Sequence, residues 1–349
     1  HALTDEQAIY ADPVFSPNGR QVAYVSTKPN GYFNVYLRPI GDGRWAGQEI
    51  PVTRDHDFGR ERLYFGRWDM HISPAWMPDG KELLLVSNRD VPLGSGNVLR
   101  VPAVADGIQK AQVVLAEQSV YRTCPDVSID GKRFIYSSTR GTADEFNNLY
   151  VQPTAGGEPY KLTFFSHDAF HPRWSPDGEW IAYVTNEEGL PQLALLETYG
   201  GEQRTVHITE RRWKRPMGLL SVRTIDADTG QVTPTRVHLT ASDGKSYAPP
   251  TSYARINGVG DPVLHSNGRF TIDLPAGNAT LVVVKGFEFW PERAEAQVQA
   301  NEVTELTVRL RRMTDMAARG WYGGSLHVHT NYAGNMRNTL ENVLLMTDA

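Results

Sequence analysis

The 349 residues include a single cysteine, Cys124, so an internal disulfide and a thiolate metal cluster are both excluded. No apolar run approaches the roughly eighteen residues that a membrane-spanning helix needs, and no membrane span is expected. Charge is sparse and mixed: 35 Lys and Arg stand against 40 Asp and Glu, a formal net of -5. Without blocks of one sign, no nucleic-acid partner and no anionic-membrane surface is expected. A Gly-x-Ser-x-Gly elbow is missing as well. Its nearest approach, "GGSLH", has His327 where the last glycine would stand, which argues against a serine peptidase. Residue 1 is His, and the first residues carry neither a charged n-region nor an apolar h-region. The expectation is therefore a chain cut at both ends, with any signal peptide upstream.

What is present is turn and strand chemistry. The 31 glycines, 22 prolines, 15 tyrosines and 8 tryptophans suit many short strands rather than long helices. Four segments align without gaps: "DPVFSPNGRQVAYVS" from 12, "SPAWMPDGKELLLVS" from 73, "CPDVSIDGKRFIYSS" from 124 and "HPRWSPDGEWIAYVT" from 171. Pro13, Pro74, Pro125 and Pro172 occupy one column; Phe15, Trp76, Val127 and Trp174 another. Gly19, Gly80, Gly131 and Gly178 follow Asn or Asp, a pair that accepts the positive φ of a tight hairpin. In the next strand Val22, Leu83, Phe134 and Ile181, then Tyr24, Leu85, Tyr136 and Tyr183, alternate onto one side, which predicts a core there. A third strand follows in each copy, as "NVYLRPI", "NVLRVPA", "NLYVQPT" and "QLALLET". The spacing suits four-stranded blades stacked about an axis.

"PRWSPDGEWIAYVT" resembles the TolB-type propeller repeat (PD40, WD40-like), whose blades carry "PxWSPDGxxIAYxS". The resemblance covers about residues 1–215. It implies an incomplete propeller of about four blades that binds protein or glycan partners or flanks a hydrolase domain, and a periplasmic or secreted location. His167 and His171 lie four apart, but His171 shares its column with Asp12, Ser73 and Cys124, which reads as a loop or channel-rim position rather than a metal pair. Asp144 and Glu145 read as a solvated loop.

From about residue 216 to 313 the blade pattern gives way to period-two alternation between turns at "DADTG", "SDGK" and "PAGN", which predicts a small antiparallel sandwich. "GRFTIDLPAG" followed by "TLVVVKG" resembles the carboxypeptidase regulatory-like, immunoglobulin-like domains, usually a spacer or docking element. Asn278 in "NAT" formally matches a glycosylation acceptor, a three-letter match that arises readily by chance.

Residues 314–349 hold "GWYGGSLHVHTNYAGN". "SLHVHT" reads as a strand, in which His327 and His329 point the same way and can reach one metal ion, while Leu326 and Val328 face the other side. Asn338 with Glu341 predicts a helix cap, and Leu340, Val343 and Leu344 recur at helical spacing. The run resembles the opening of the PHP-type metallohydrolase domain of the CehA/McbA family, an amidohydrolase-like barrel with the pattern "GWYxGDLHVHxNYGG"; Ser325 and Ala333 depart from it. The resemblance implies His327 and His329 as ligands of a divalent metal (Zn, Mn or Fe), Asn331 and Tyr332 lining a substrate site, and further ligands on later strands. Two solvent-facing histidines on an edge strand are the alternative.

The fold class expected is thus mainly β: propeller blades, a sandwich, and the first βα unit of a metallohydrolase barrel. The function expected is that of the N-terminal and middle part of a metal-dependent hydrolase, in which metal-activated water attacks an ester, amide or phosphoester of a small-molecule or peptide substrate. The fragment alone is expected to be inactive, and no catalytic side chain is assigned. The alternative is a non-enzymatic propeller module.

Overall fold

The structure is a computed structural model that describes residues 8–28, 30–62, 66–92, 96–117, 122–140, 144–249, 252–256, 262–324 and 337–349. Two compact units result. The first runs to His207 and takes in Arg337; the second starts at Ile208 and takes in the chain from Asn338.

The first unit is four successive antiparallel sheets, one for each sequence repeat. The first blade comprises Tyr10–Phe15, Gln21–Ser26, Asn34–Gly41 and Ile50–Pro51, with the short strand Arg44–Trp45 beside its third member. His71–Trp76, Glu82–Ser87, Asn97–Pro102 and Gln112–Leu115 form the second. The third is Arg122–Val127, Arg133–Ser138, Asn148–Pro153 and Tyr160–Lys161; the fourth is Ala169–Trp174, Trp180–Thr185, Gln192–Glu197 and Gln203–Thr205.

The hairpins are wider than an Asn-Gly pair with both residues left-handed would make them. Only the glycines are left-handed, with φ between 69° and 76° at Gly19, Gly80, Gly131 and Gly178. The preceding Asn or Asp stays out of that region and uses its side chain instead. Asn18, Asp79, Asp130 and Asp177 each accept the backbone N–H two residues on, at 3.0 to 3.1 Å. This is the Asx turn that makes these residues favourable in loops.

Each repeat proline sits in a bulge. The register of the first strand with the second slips between Ala11 and Val14, Ile72 and Ala75, Thr123 and Asp126, and Phe170 and Arg173. Proline has no ladder N–H to give, so the unpaired turn of a bulge is where a strand tolerates it.

Burial falls on both faces of the second strands in the first three blades, whereas in the fourth only Ile181, Tyr183 and Thr185 are buried and the alternation is one-sided. Leu83 and Leu85 pack with Ala23 and Val25 of the first blade, while Leu84 and Val86 of the same strand pack with Phe134 and Tyr136 of the third. Ile135 in turn packs with Ile181 and Tyr183 of the fourth. A stacked blade has a neighbour on each side, so simple alternation understates its apolar content. The end blades differ. Phe15 is 65% exposed, whereas Trp76, in the same column, is 8% exposed and donates its indole N–H to Val14 O at 3.2 Å. On the first blade Tyr24 is sheltered by Tyr36 and Trp45, stacked at 6.0 and 5.7 Å.

Asp144 is not solvated as its sequence context suggests. It is half-buried, ion-paired with Lys161 and hydrogen-bonded by the Tyr150 hydroxyl; Glu145 is exposed.

The second unit packs a three-stranded sheet (Arg269–Pro275, Met217–Asp226, Val303–Leu310) against a five-stranded one (Tyr253–Ile256, Pro262–Ser266, Thr235–Thr240, Gly277–Val284, Glu292–Val298). Leu220, Val222, Ile272, Leu274, Val308 and Leu310 face Val237, Leu239, Leu264, Leu281 and Val283 across the core. One pairing departs from the expected antiparallel pattern: Met217–Asp226 and Val303–Leu310 run parallel. A parallel pair needs a long crossover, and the strands between these two supply it. Asn278 is exposed on a strand rather than in a loop.

A single α-helix, Leu340–Asp348, is present among the described residues. Its cap is Thr339, whose hydroxyl accepts Asn342 N–H at 3.2 Å, one residue beyond the Asn338 and Glu341 pair that the sequence suggests. Leu340 and Leu344 are exposed. The described residues are thus mainly β; the strand expected to open a metallohydrolase barrel unit, "SLHVHT", lies outside them.

Candidate functional site

The repeats bring chemistry together through their bulges. Asp12, Ser73, Cys124 and His171 occupy one column of the alignment, on first strands that pack on one another from blade to blade. Asp12, Ser73 and His171 hold φ of 49°, 53° and 52°, so the bulges of the first, second and fourth blades are left-handed where the residue ahead of proline turns. The side chains then meet. Asp12 Oδ2 accepts Ser73 N–H at 2.9 Å and the Ser73 hydroxyl at 3.1 Å, and Cys124 Sγ lies 3.4 Å from Ser73 Oγ. His171 hydrogen-bonds Cys124 in turn.

Burial of Cys124 raises its thiol pKa, yet its hydrogen bonds with His171 and Ser73, together with the nearby Arg173 guanidinium, outweigh this and leave it below the ordinary thiol value. The contact with Cys124 raises His171 above the usual imidazole range. The column that reads in sequence as an unrelated rim position is therefore a continuous polar chain across four blades. The only signal for it in the sequence was the alignment column itself.

A second polar centre lies at the start of the fourth blade. The buried Asp168 carboxylate accepts Asn147 N and Nδ2 at 2.9 and 3.0 Å on one oxygen. The other oxygen accepts Asn186 Nδ2 at 2.7 Å and Arg337 N at 2.6 Å. The Arg337 guanidinium also donates to Asn186 O, at 3.1 Å, and to Glu187 O. A residue far along the chain is thus fastened to the last blade, and nothing local in the sequence signals it. Next to this centre His167 stacks on Phe165, with centroids 4.6 Å apart, and burial lowers its pKa. His167 and His171, four apart in sequence, take different partners: the Phe165 ring and the Cys124 thiol.

His327, His329, Asn331 and Tyr332 lie outside the described residues. Among the described residues no group of three or more His, Cys, Asp or Glu side chains could hold a metal ion, and no helix is long and apolar enough to cross a membrane.

Four-stranded antiparallel blades, packed face to face and each opened by a proline bulge and an Asx-glycine hairpin, define a TolB-like β-propeller fold in the first unit. The chain is 26% identical over 175 residues to the protein described as uncharacterized peptidase YuxL of Bacillus subtilis, covering 50% of this chain and 22% of that protein. It is 28% identical over 116 residues to the Tol-Pal system protein TolB of Roseobacter denitrificans, covering 33% of this chain and 26% of the relative. The chain thus spans about a quarter of the length of the curated relatives it matches. Among solved structures, TolB from Acinetobacter baumannii aligns with a TM-score of 0.46 at 17% identity, over 78% of this chain and 59% of that one. No family model matches the chain.

Proposed function

We propose that residues 1–215 and 216–313 are the propeller and sandwich of a metal-dependent hydrolase whose catalytic domain opens within 314–349. His327 and His329 are its first metal ligands, and Asn331 and Tyr332 line the substrate site. The reading is carried by the H-x-H spacing in "SLHVHT", which directs two imidazoles to one side of a strand. The capture of Arg337 by Asp168 supports a role for the propeller as a binding or gating scaffold, because it fastens the chain eight residues beyond His329 to the fourth blade. The description of one relative as a peptidase agrees with a hydrolytic parent. A bound divalent ion (Zn, Mn or Fe) would supply a water acidified to near neutrality and polarise the scissile carbonyl or phosphoryl group. The residues of this chain would orient that ion and hold the substrate beside it. A periplasmic or secreted location accompanies the proposal.

The second reading is a propeller that binds a protein or glycan partner without catalysis. It is favoured by the face-to-face stacking of the four blades, which stands without any catalytic domain. Metal content and esterase or phosphodiesterase turnover of the full gene product separate the two. Loss of bound metal and of turnover in His327→Ala and His329→Ala is the expected result; unchanged metal loading in both variants removes the hydrolase reading.

A further inference from the structure

Like charges placed directly opposite on neighbouring strands cost stability unless something neutralises them. On the outward face of the three-stranded sheet in the second unit, Arg223 stands opposite Arg269, and Thr307 flanks Arg223 on the parallel strand. One row along, Thr271, Ser221 and Glu305 are neighbours in the same order. Both arginines are exposed, and among the described residues neither guanidinium has a hydrogen-bond or ion-pair partner. These six residues line a cleft of about 630 Å³.

The chemistry of that cleft selects its occupant. Its volume falls within the range of roughly 300–1,000 Å³ found for small-molecule sites, but its floor is made of charges and hydroxyls rather than apolar side chains. Directly opposed residues have Cβ atoms about 5 Å apart, so two guanidinium forks can close on one oxyanion, each able to bind it bidentately. The hydroxyls of Ser221, Thr271 and Thr307 continue along the same face, where each can donate to or accept from a sugar hydroxyl. Glu305 accepts a hydroxyl proton there and disfavours a second negative group. A bare inorganic ion would satisfy the arginines and leave most of the space unfilled.

We propose that this cleft binds an anionic saccharide, a carboxylated or sulfated sugar unit, with Arg223 and Arg269 clamping the anion. Calorimetric titration of the whole chain with glucuronate tests the proposal, with glucose as the neutral control and inorganic sulfate as the bare ion. Saturable glucuronate binding is expected, weakened about tenfold or more in Arg223→Gln and in Arg269→Gln and weakened by added salt. Arg223→Lys, which keeps the charge and loses the fork, should fall between. Circular dichroism should show both Gln variants folded, since each replaces an exposed side chain. The absence of saturable binding, glucose binding as tight as glucuronate, or Gln variants that bind like the parent would each overturn the proposal. Sulfate binding as tight as glucuronate would mark an adventitious ion only and overturn the saccharide assignment.

Discussion

Replacing Asp168 by alanine tests whether its carboxylate organises the end of the propeller. In the folded chain that group is fully buried and holds Asn147 N and Nδ2, Asn186 Nδ2 and Arg337 N at 2.6 to 3.0 Å. Truncation leaves these donors facing a space with no acceptor, and each orphaned donor costs about 1–3 kcal/mol unless water reaches it. Water entering the vacated volume and the relief of burying a charge offset part of that sum. The net loss should therefore be about 3–5 kcal/mol, the range for breaking a buried charged network by removing one partner. Guanidinium unfolding followed by tryptophan fluorescence should show an earlier midpoint. Chymotryptic cleavage next to Arg337 should accelerate at concentrations of denaturant where the parent is intact. Arg337→Ala, which keeps the backbone N–H and loses only the guanidinium contacts, should cost about 1 kcal/mol or less. An Asp168→Ala midpoint equivalent to less than about 0.5 kcal/mol of destabilisation would refute the argument.

Burial holds His71 down to about 4, from an ordinary value of 6.5, so the folded chain keeps it neutral while the unfolded chain protonates it. Stability from this residue should be complete above pH ~6.5 and lost as the pH falls toward ~4, by about 3 kcal/mol. Urea midpoints across that window should drop in the parent and flatten in His71→Gln. Gly218→Ala should destabilise the sandwich by about 2 kcal/mol or more, because its Cβ would sit 1.9 Å from Gln299 O; an unchanged melting temperature would contradict the packing described. The Cys124 thiol should titrate below the ordinary thiol range, and His171→Gln should move it upward. Thiolate ultraviolet absorbance reads that shift without ambiguity, since the chain has no other cysteine.

Much of the fold was legible because a repeat states its own rules four times over. The glycine and proline columns mark the hairpin and the bulge, and the third strands begin where "NVYLRPI", "NVLRVPA", "NLYVQPT" and "QLALLET" begin. The second apolar face of the first three blades was less visible, because Ala23, Leu84 and Ile135 become core only when another blade covers them. The parallel pairing of Met217–Asp226 with Val303–Leu310 was hidden for a related reason: strand direction is set by the connection, and alternation carries no information about it. The helix cap shifted by one residue, to Thr339, within the margin by which helix ends slide.

By itself, the sequence determined the local architecture: where strands turn, where they bulge and which side chains alternate inward. These follow from φ preferences and a two-residue period, which act over a few residues. Only the tertiary structure decided which distant groups meet: Asp12 with Ser73 and Cys124 with His171 across blades, Asp168 with Arg337, and Arg223 opposite Arg269. Such contacts depend on strand register and blade stacking, which are fixed by burial over the whole domain and leave no mark in any short stretch of residues.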